Sequence, residues 1–449
     1  MVASTAGPTR AARPPPPWGF ELVASAHAAL AALRSSVRLS SRPRPWCHRQ
    51  LPRRLAQRRL PLDMSLPMPI AWIALAELFG TALWFTPNAV IGDLEREWAL
   101  AAPDLGWLTG AVQVGFFVGT LTIGLSGIAD RRDASRLFAA CCLLGALSNA
   151  ALPWAGGLWP AVALRLITGM ALAGIYPVGM KLMVGWAPQR AGLGLAWLVG
   201  MLVVGTALPH LLAGISLGGS WRGALWSASL LALVAGGLVW RLGEAPGVRK
   251  TSRDTPRWAG PSAFRIAGFR HAASAYFGHM WELYTLWALI PLLLATALPE
   301  LTKTQLAFGS FALIAIGGPG CWLGGWLSLR LGSRRIAQIG LVGSAACCLL
   351  YPWLGLHGGL WVALFLGLWS LFAVVDSPHF SALSAQACPP SLVGSALTLQ
   401  NAIGFAISAG SLAWLLPAWS SLGPWVAWLM LPGPLLGLWA LARKDVASG

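Results

Sequence analysis

The sequence predicts an all-α membrane protein of twelve transmembrane helices in two pseudo-symmetric six-helix bundles. Three observations carry that prediction. Twelve apolar runs, each long enough to cross a bilayer, follow one another with little charge inside them. Positive charge falls in alternate connections. Short stretches of the first six runs recur in the second six at an offset near 200 residues. Composition agrees: at 56% hydrophobic and 10% charged, the chain has too little charge to solvate a soluble protein of its size.

Residues 1–65 come first and are read as a disordered basic extension outside the fold. Residues 1–63 hold eleven Arg, no Lys and two acids, for a net charge of +9 of the chain's +17. Such a segment cannot bury a core. It reads either as an organelle-targeting leader or as sequence upstream of a true start at Met64 or Met68. The remaining +8 lies mostly in short connections between apolar runs, which argues against a nucleic-acid partner.

The spans follow at 69–91, 106–128, 137–155, 158–185, 191–215 and 221–242, then 267–297, 304–329, 336–355, 359–386, 392–416 and 422–442. The longer runs imply tilt, flanking loop or, in 267–297, a break at Pro291. Basic connections carry Arg131, Arg132 and Arg136; Arg190; Arg249, Lys250, Arg253, Arg257 and Arg265; and Arg330, Arg334 and Arg335. Arg443 and Lys444 follow the last span, and the intervening connections are acidic or nearly neutral apart from Arg222. Both termini are therefore expected in the cytoplasm. The linker 243–265 divides the fold into an N-terminal bundle, 66–242, and a C-terminal bundle, 266–445.

The repeat supports that division. Ala139–Leu144 reads AACCLL and recurs at Ala345–Leu350; Gly156–Trp159 reads GGLW and recurs at Gly358–Trp361; Pro177 pairs with Pro378. Two six-helix halves enclosing a cavity can rock to expose one site to either side. Seven Cys (47, 141, 142, 321, 347, 348 and 388) show no metal-ligand spacing and read as small buried thiols. No metal or cofactor is expected.

The connection after the second span reads Ser126-Gly127-Ile128-Ala129-Asp130-Arg131-Arg132-Asp133-Ala134-Ser135-Arg136, and its counterpart runs from Gly325 through Arg330, Gly332 and Arg334 to Arg335. With twelve spans and a basic central linker, these loops resemble the Major Facilitator Superfamily over about residues 66–445. That family carries Gly, three residues, Asp-Arg, one residue, Gly, then basic pairs. Here Ser126 and Asp133 replace the glycines of the first copy, and Leu329 replaces the acid of the second. The resemblance implies a conformational gate at Asp130, Arg131, Arg136, Arg330, Arg334 and Arg335. Arg165 in the fourth span, four residues before Gly169, is similar to the family's intramembrane Arg, with Thr168 where Gln is usual. Gly200, Gly205 and Pro209 do not match the spacing of drug antiporters.

Ionisable residues inside spans are functional candidates by default. They are Glu77 (first span), Arg165 (fourth), His279 and Glu282 (seventh), and Asp376 and His379 (tenth). The resemblance implies that those four spans line the central cavity. Glu77, Thr81, Trp84 and Asn88 share one helix face, and Tyr176 follows Arg165 in the fourth span. His279 with Glu282, and Asp376 with His379, are i, i+3 neighbours able to share a proton. At 1.5 Å per residue, Glu77 lies ~12 Å from one face and Arg165 ~10 Å from the other. In a core of ~30 Å their depths differ by about 8 Å, so a cross-cavity ion pair is expected.

No nucleophile–base set, metal cluster or phosphate-binding glycine loop occurs in any connection, and none is long enough for a nucleotide-binding domain. The expected function is secondary active transport of a small solute by alternating access, proton-coupled, with an organic anion or zwitterion as substrate. The alternatives are an efflux antiporter of amphipathic compounds, a membrane-embedded enzyme and a transport-dead sensor. The expected partners are the solute, the lipid bilayer and protons, in a monomer of the plasma (inner) membrane.

Overall fold

A computed structural model describes residues 68–101, 104–188, 191–216, 220–246, 260–389 and 392–443. The N-terminal extension lies outside these residues, as do Arg190, Arg249, Lys250, Arg253, Arg257 and Lys444. All described secondary structure is helical. The N-terminal half comprises α1 (Met68–Thr81, resuming at Thr86–Ala89), α2 (Asp104–Ser126), α3 (Ala134–Ala150), α4 (α4a Leu158–Leu172, α4b Tyr176–Trp186), α5 (Ala191–Ile215) and α6 (Trp221–Leu242). The C-terminal half comprises α7 (Ala267–Ala297), α8 (Lys303–Ala315 and Gly317–Leu331), α9 (Ser333–Gly355), α10 (α10a Leu360–Val375, α10b Ser377–Ala387), α11 (Val393–Leu422) and α12 (Val426–Met430 and Pro432–Leu441). These are the twelve spans the hydropathy predicts.

Proline places the breaks. A proline lacks the N–H that would continue the preceding turn and its ring crowds that turn's carbonyl, whereas the same ring suits the first turn of a new helix. Pro87, Pro177, Pro378 and Pro432 all sit in the first two positions of a resumed helix. The repeat partners Pro177 and Pro378 thus break α4 and α10 at matching places. Pro291 differs: α7 runs unbroken through it. A single lost hydrogen bond is tolerated where neighbouring helices enclose the turn.

The halves are built alike. In the first, α1 packs on α5 and α6, α2 on α4, and α3 on α4 and α6. In the second, α7 packs on α11 and α12, α8 on α10, and α9 on α10 and α12. The same five contacts recur six helices later. Two seams, α2 with α11 and α5 with α8, join the halves. Each seam extends along its helices: α2 meets α11 at Gly106–Leu412 and at Gly124–Thr398, and α5 meets α8 at Gly214–Phe308 and at Gly325–Ala196.

Lipid tails offer no hydrophobic drive to helix association, so close backbone approach must supply it. Gly115 and Gly169 let α2 and α4 interlock, since a methyl on either would overlap the other helix's carbonyl, at Leu166 or Val112. Gly278 and Gly433 do the same for α7 and α12. Exposed Trp240, Trp326 and Trp439 mark one face of the bundle, with Arg330 over Trp326 and Arg443 over Trp439. Trp154, Trp159 and Trp361 are exposed at the opposite face. Such belts sit at the lipid–water boundary. The first is called the basic face below.

Gly169→Val should abolish monodisperse folded protein on size-exclusion chromatography, because neither backbone can retreat without opening the α2–α4 contact. Gly237→Ala, at a position with nothing within 4 Å, should be tolerated and gain roughly 1 kcal/mol from helix propensity. Equal yields of the two variants would contradict this packing account.

Candidate functional site

The break in α1 leaves backbone carbonyls without helical partners inside the membrane. Arg165 supplies donors to them. Its Nη1 donates to Leu83 O at 3.0 Å, to Thr86 Oγ1 at 3.2 Å and to Asn149 Oδ1 at 3.4 Å, and its Nη2 donates to Trp84 O. Asn149 in turn donates to Leu225 O and Ser229 Oγ of α6, each at 3.0 Å. Arg165 is fully buried, so one guanidinium ties α1, α3 and α4 together and, through Asn149, α6.

The expected Glu77–Arg165 pair is therefore not made. Both Glu77 carboxyl oxygens are buried without a hydrogen-bond partner, and Oε2 lies against Gly179 of α4b. The rest of the Glu77 stripe is divided among other contacts. Thr81 donates to the Glu77 carbonyl at 2.7 Å. Asn88 donates to Thr109 Oγ1 of α2 at 3.0 Å, and Thr109 donates back to Asn88 Oδ1 at 3.2 Å. Trp84 enters an aromatic wall described below.

In the C-terminal half, the expected pairing along each helix is replaced by pairing across helices. His279 Nδ1 of α7 lies 3.0 Å from Oδ1 of Asp376, close enough for an ion pair but without hydrogen-bond alignment. Asp376 is the residue at the α10 break and N-cap of α10b. Glu282 Oε1 accepts from Trp369 Nε1 at 2.7 Å, from Cys348 Sγ at 3.4 Å and from Ser344 Oγ. His379 is buried against Gly324 of α8.

A cavity of about 20 Å³ lies between the halves at the α4 and α10 breaks, little more than the room for one water. Tyr176 opens α4b, and Ser377 and Ser381 lie on the first turns of α10b. From α7 come Tyr276, Met280, Leu283, Tyr284 and Trp287, a single helix face. Val199, Leu202 and Val203 of α5, Val374 of α10a and Phe405 of α11 complete it. Of the ten expected cavity residues, Tyr176 lines it in this conformation.

An aromatic wall bounds the cavity and crosses from one half to the other. Trp84 of the α1 break has its ring centroid 5.3 Å from Tyr284 and 5.6 Å from Phe405. Phe116 of α2 stacks on Phe405 at 3.9 Å, and Phe85 meets Trp287 edge-on at 6.3 Å. The sequence reading missed Tyr276, Tyr284, Trp287, Phe405, Ser377 and Ser381. One signal could have found part of this set: the chain has four tyrosines, and three of them line this cavity.

The loop arginines make contacts within their own halves. Gly127 adopts φ +62°, and Arg131 folds over it. The Asp130 side chain lies outside the described residues. Arg136 pairs with Asp133 at 3.4 Å, Lys181 donates to Ala129 O, and Glu244 accepts from the Ala134 amide. Arg330 stacks over Trp326 at 5.2 Å, Arg334 donates to Leu441 O at 2.6 Å and to Arg443 O at 3.2 Å, and Arg335 is exposed. At the opposite face an ion pair crosses between halves: Lys303 of α8 lies 3.4 Å from Asp93, on the short helix Ile91–Trp98 after α1, and Arg96 shares that carboxylate.

Arg165→Leu should unfold the N-terminal half at markedly lower temperature, a loss of about 3 kcal/mol or more, because it leaves buried carbonyls without donors. Arg165→Lys should recover only part of the loss, lacking the fork that reaches two carbonyls at once. A thermal melt unchanged in Arg165→Leu would remove the structural role.

A family model described as Major Facilitator Superfamily matches residues 73–413. The chain is 26% identical over 386 residues to the inner membrane metabolite transport protein YgcS of Escherichia coli (strain K12), covering 77% of this chain and 85% of that protein. It is 30% identical over 131 residues to the niacin transporter NiaP of Acinetobacter baylyi, covering 27% of this chain and 29% of the length of that transporter. Among solved structures, the human organic anion transporter MFSD10 (TETRAN) superposes with a TM-score of 0.66 at 16% identity, covering 84% of this chain and 100% of that one. FucP, the fucose:proton symporter of E. coli, superposes in its outward conformation with a TM-score of 0.61 at 15% identity, covering 85% and 99%. These likenesses carry the fold, while the family match spans well over half the chain: it belongs to the Major Facilitator Superfamily and is a multi-pass membrane transporter, not an enzyme.

Proposed function

We propose that this chain moves a small organic solute across the plasma (inner) membrane by alternating access, with protons as the coupling ion and the basic face in the cytoplasm. The observation that carries this reading is the position of the cavity. It lies between two halves of like construction, where α4 and α10 are broken. Rocking about the cavity would part α2 from α11 or α5 from α8 at one face while the other stays closed. A volume of about 20 Å³ admits no organic solute, which fits a closed intermediate of such a cycle. The positive connections at the basic face favour its cytoplasmic placement.

The organic-anion expectation drew on Arg165, whose guanidinium is engaged with α1. It now draws support only from relatives whose names mention niacin and organic anions. For coupling, Glu77 is the first candidate because its carboxyl makes no hydrogen bond and can exchange a proton when helix movement admits water. The His279–Asp376 pair at the α10 hinge is the second.

Glu77→Gln should abolish accumulation driven by a pH gradient in proteoliposomes yet leave solute exchange within about twofold of wild type. Accumulation that survives the change would move the proton to His279–Asp376. Lys303→Glu should release the opposite face. A surface pair is worth about 0–1 kcal/mol, so maleimide labelling of a Val203→Cys cavity probe from that face should rise by up to about fivefold. One molar salt should act in the same direction on the probe protein alone. Labelling insensitive to both would show that the ion pair does not hold the closed state.

A further inference from the structure

We propose that the central cavity selects a planar aromatic or heteroaromatic solute that is uncharged when bound. The inference rests on the transport reading above and names the chemistry of its substrate. None of the residues lining the cavity is charged. An ionised carboxylate or ammonium held there would lose its hydration with no charged lining residue to offset the cost, which disfavours free amino acids and organic ions more strongly than any shape effect.

The positive selection comes from the rings. Tyr176, Tyr276, Tyr284, Trp287 and Phe405 contribute from three helices of both halves. Tyrosine is the scarcest aromatic in the chain, at 4 against 26 Trp and 15 Phe, yet three line this one cavity. General apolar filling would draw on the abundant types. A tyrosine offers a flat face and a hydroxyl on one side chain. None of the three hydroxyls hydrogen-bonds to another described residue, and unlike the Tyr351 hydroxyl none is sealed off among side chains, so a guest in the cavity can reach them. The hydroxyls of Ser377 and Ser381 on α10b likewise make no hydrogen bond to a described residue.

The cavity therefore offers aromatic faces for stacking and five hydroxyl groups for a polar substituent, and no countercharge. A ring bearing an amide, ketone or hydroxyl satisfies both features. A polyol such as a sugar would use the hydroxyls but forfeit the stacking. Trp84 already stacks on Tyr284, and Phe116 on Phe405, across the halves, so an inserted ring would replace contacts of the same kind.

The test uses the full chain, purified in nanodiscs, with benzamide and nicotinamide as neutral aromatic probes. Nicotinate at pH 7.5, glucose and glycine serve as comparisons. Thermal stabilisation should appear with the neutral aromatic probes and be at least tenfold weaker, by concentration required, with the other three. Tyr284→Ala should weaken benzamide binding at least tenfold. Tyr276→Phe, which keeps the ring and loses the hydroxyl, should reduce the preference for benzamide over toluene by threefold or more, and so keeps the test open if the alanine variant does not fold. Tyr351→Phe, at the one tyrosine outside the cavity, should bind as wild type does. Stabilisation by nicotinate, glucose or glycine at concentrations equal to those of the neutral aromatic probes would overturn the proposal, as would benzamide binding indifferent to both cavity tyrosines. Uptake measured separately in proteoliposomes distinguishes the two readings: benzamide bound but not moved defeats transport at this site, and a non-aromatic solute moved without aromatic binding defeats the aromatic selection alone.

Discussion

A polar backbone group inside a bilayer has no water to turn to, and the N-terminal half is arranged around that constraint. Four residues of α1 leave the helix, and Leu83 and Trp84 present carbonyls to the interior. Irregular backbone at this depth persists only where protein satisfies it. Arg165 does so from α4, at the cost of burying a charge that would otherwise need several kcal/mol of compensation. The side chains of the break then become available elsewhere: Trp84 and Phe85 reach across to α7 and α11. The aromatic wall between the halves thus depends on a hydrogen-bonded cation in one of them.

The two halves share helix contacts but not polar chemistry. The first buries a cation among carbonyls and amides and leaves Glu77 without a donor. The second gives Glu282 three donors from α9 and α10 and sets His279 against Asp376 at the α10 break. A carboxylate held by three donors is fixed in place, whereas one at a helix break would move with any hinge there. Pseudo-symmetry of backbone therefore coexists with a division of labour between side chains.

Much of the fold was legible because hydropathy, loop charge and proline act locally. The twelve spans and the two-half repeat, with Pro177 and Pro378 as matched positions, follow from residues read in order; that those two prolines break their helices came from the structure. The site was less legible because its contacts are not local. Arg165 meets backbone carbonyls some eighty residues away, and a carbonyl has no signature in sequence. His279 was expected to pair with Glu282, three residues on, and instead meets Asp376 on another helix. Pro291 carries the same residue type as the break-forming prolines, yet α7 continues through it because packing, not the residue alone, decides. The scarcity of tyrosine was readable, and it points to the cavity more directly than the charges do.

The aromatic wall bears on how tightly such a carrier would hold its gradient. Trp84, Phe116, Tyr284 and Phe405 bind one half to the other when nothing lies between them. Parting them without a replacement forfeits several ring contacts of about 0.5–1.5 kcal/mol each. In such a cycle a bound guest that restores those contacts would lower the barrier to reorientation, and an empty protein would meet it in full. On the alternating-access proposal, the same rings that close the passage would suppress futile turnover, because an unloaded carrier would adhere to itself.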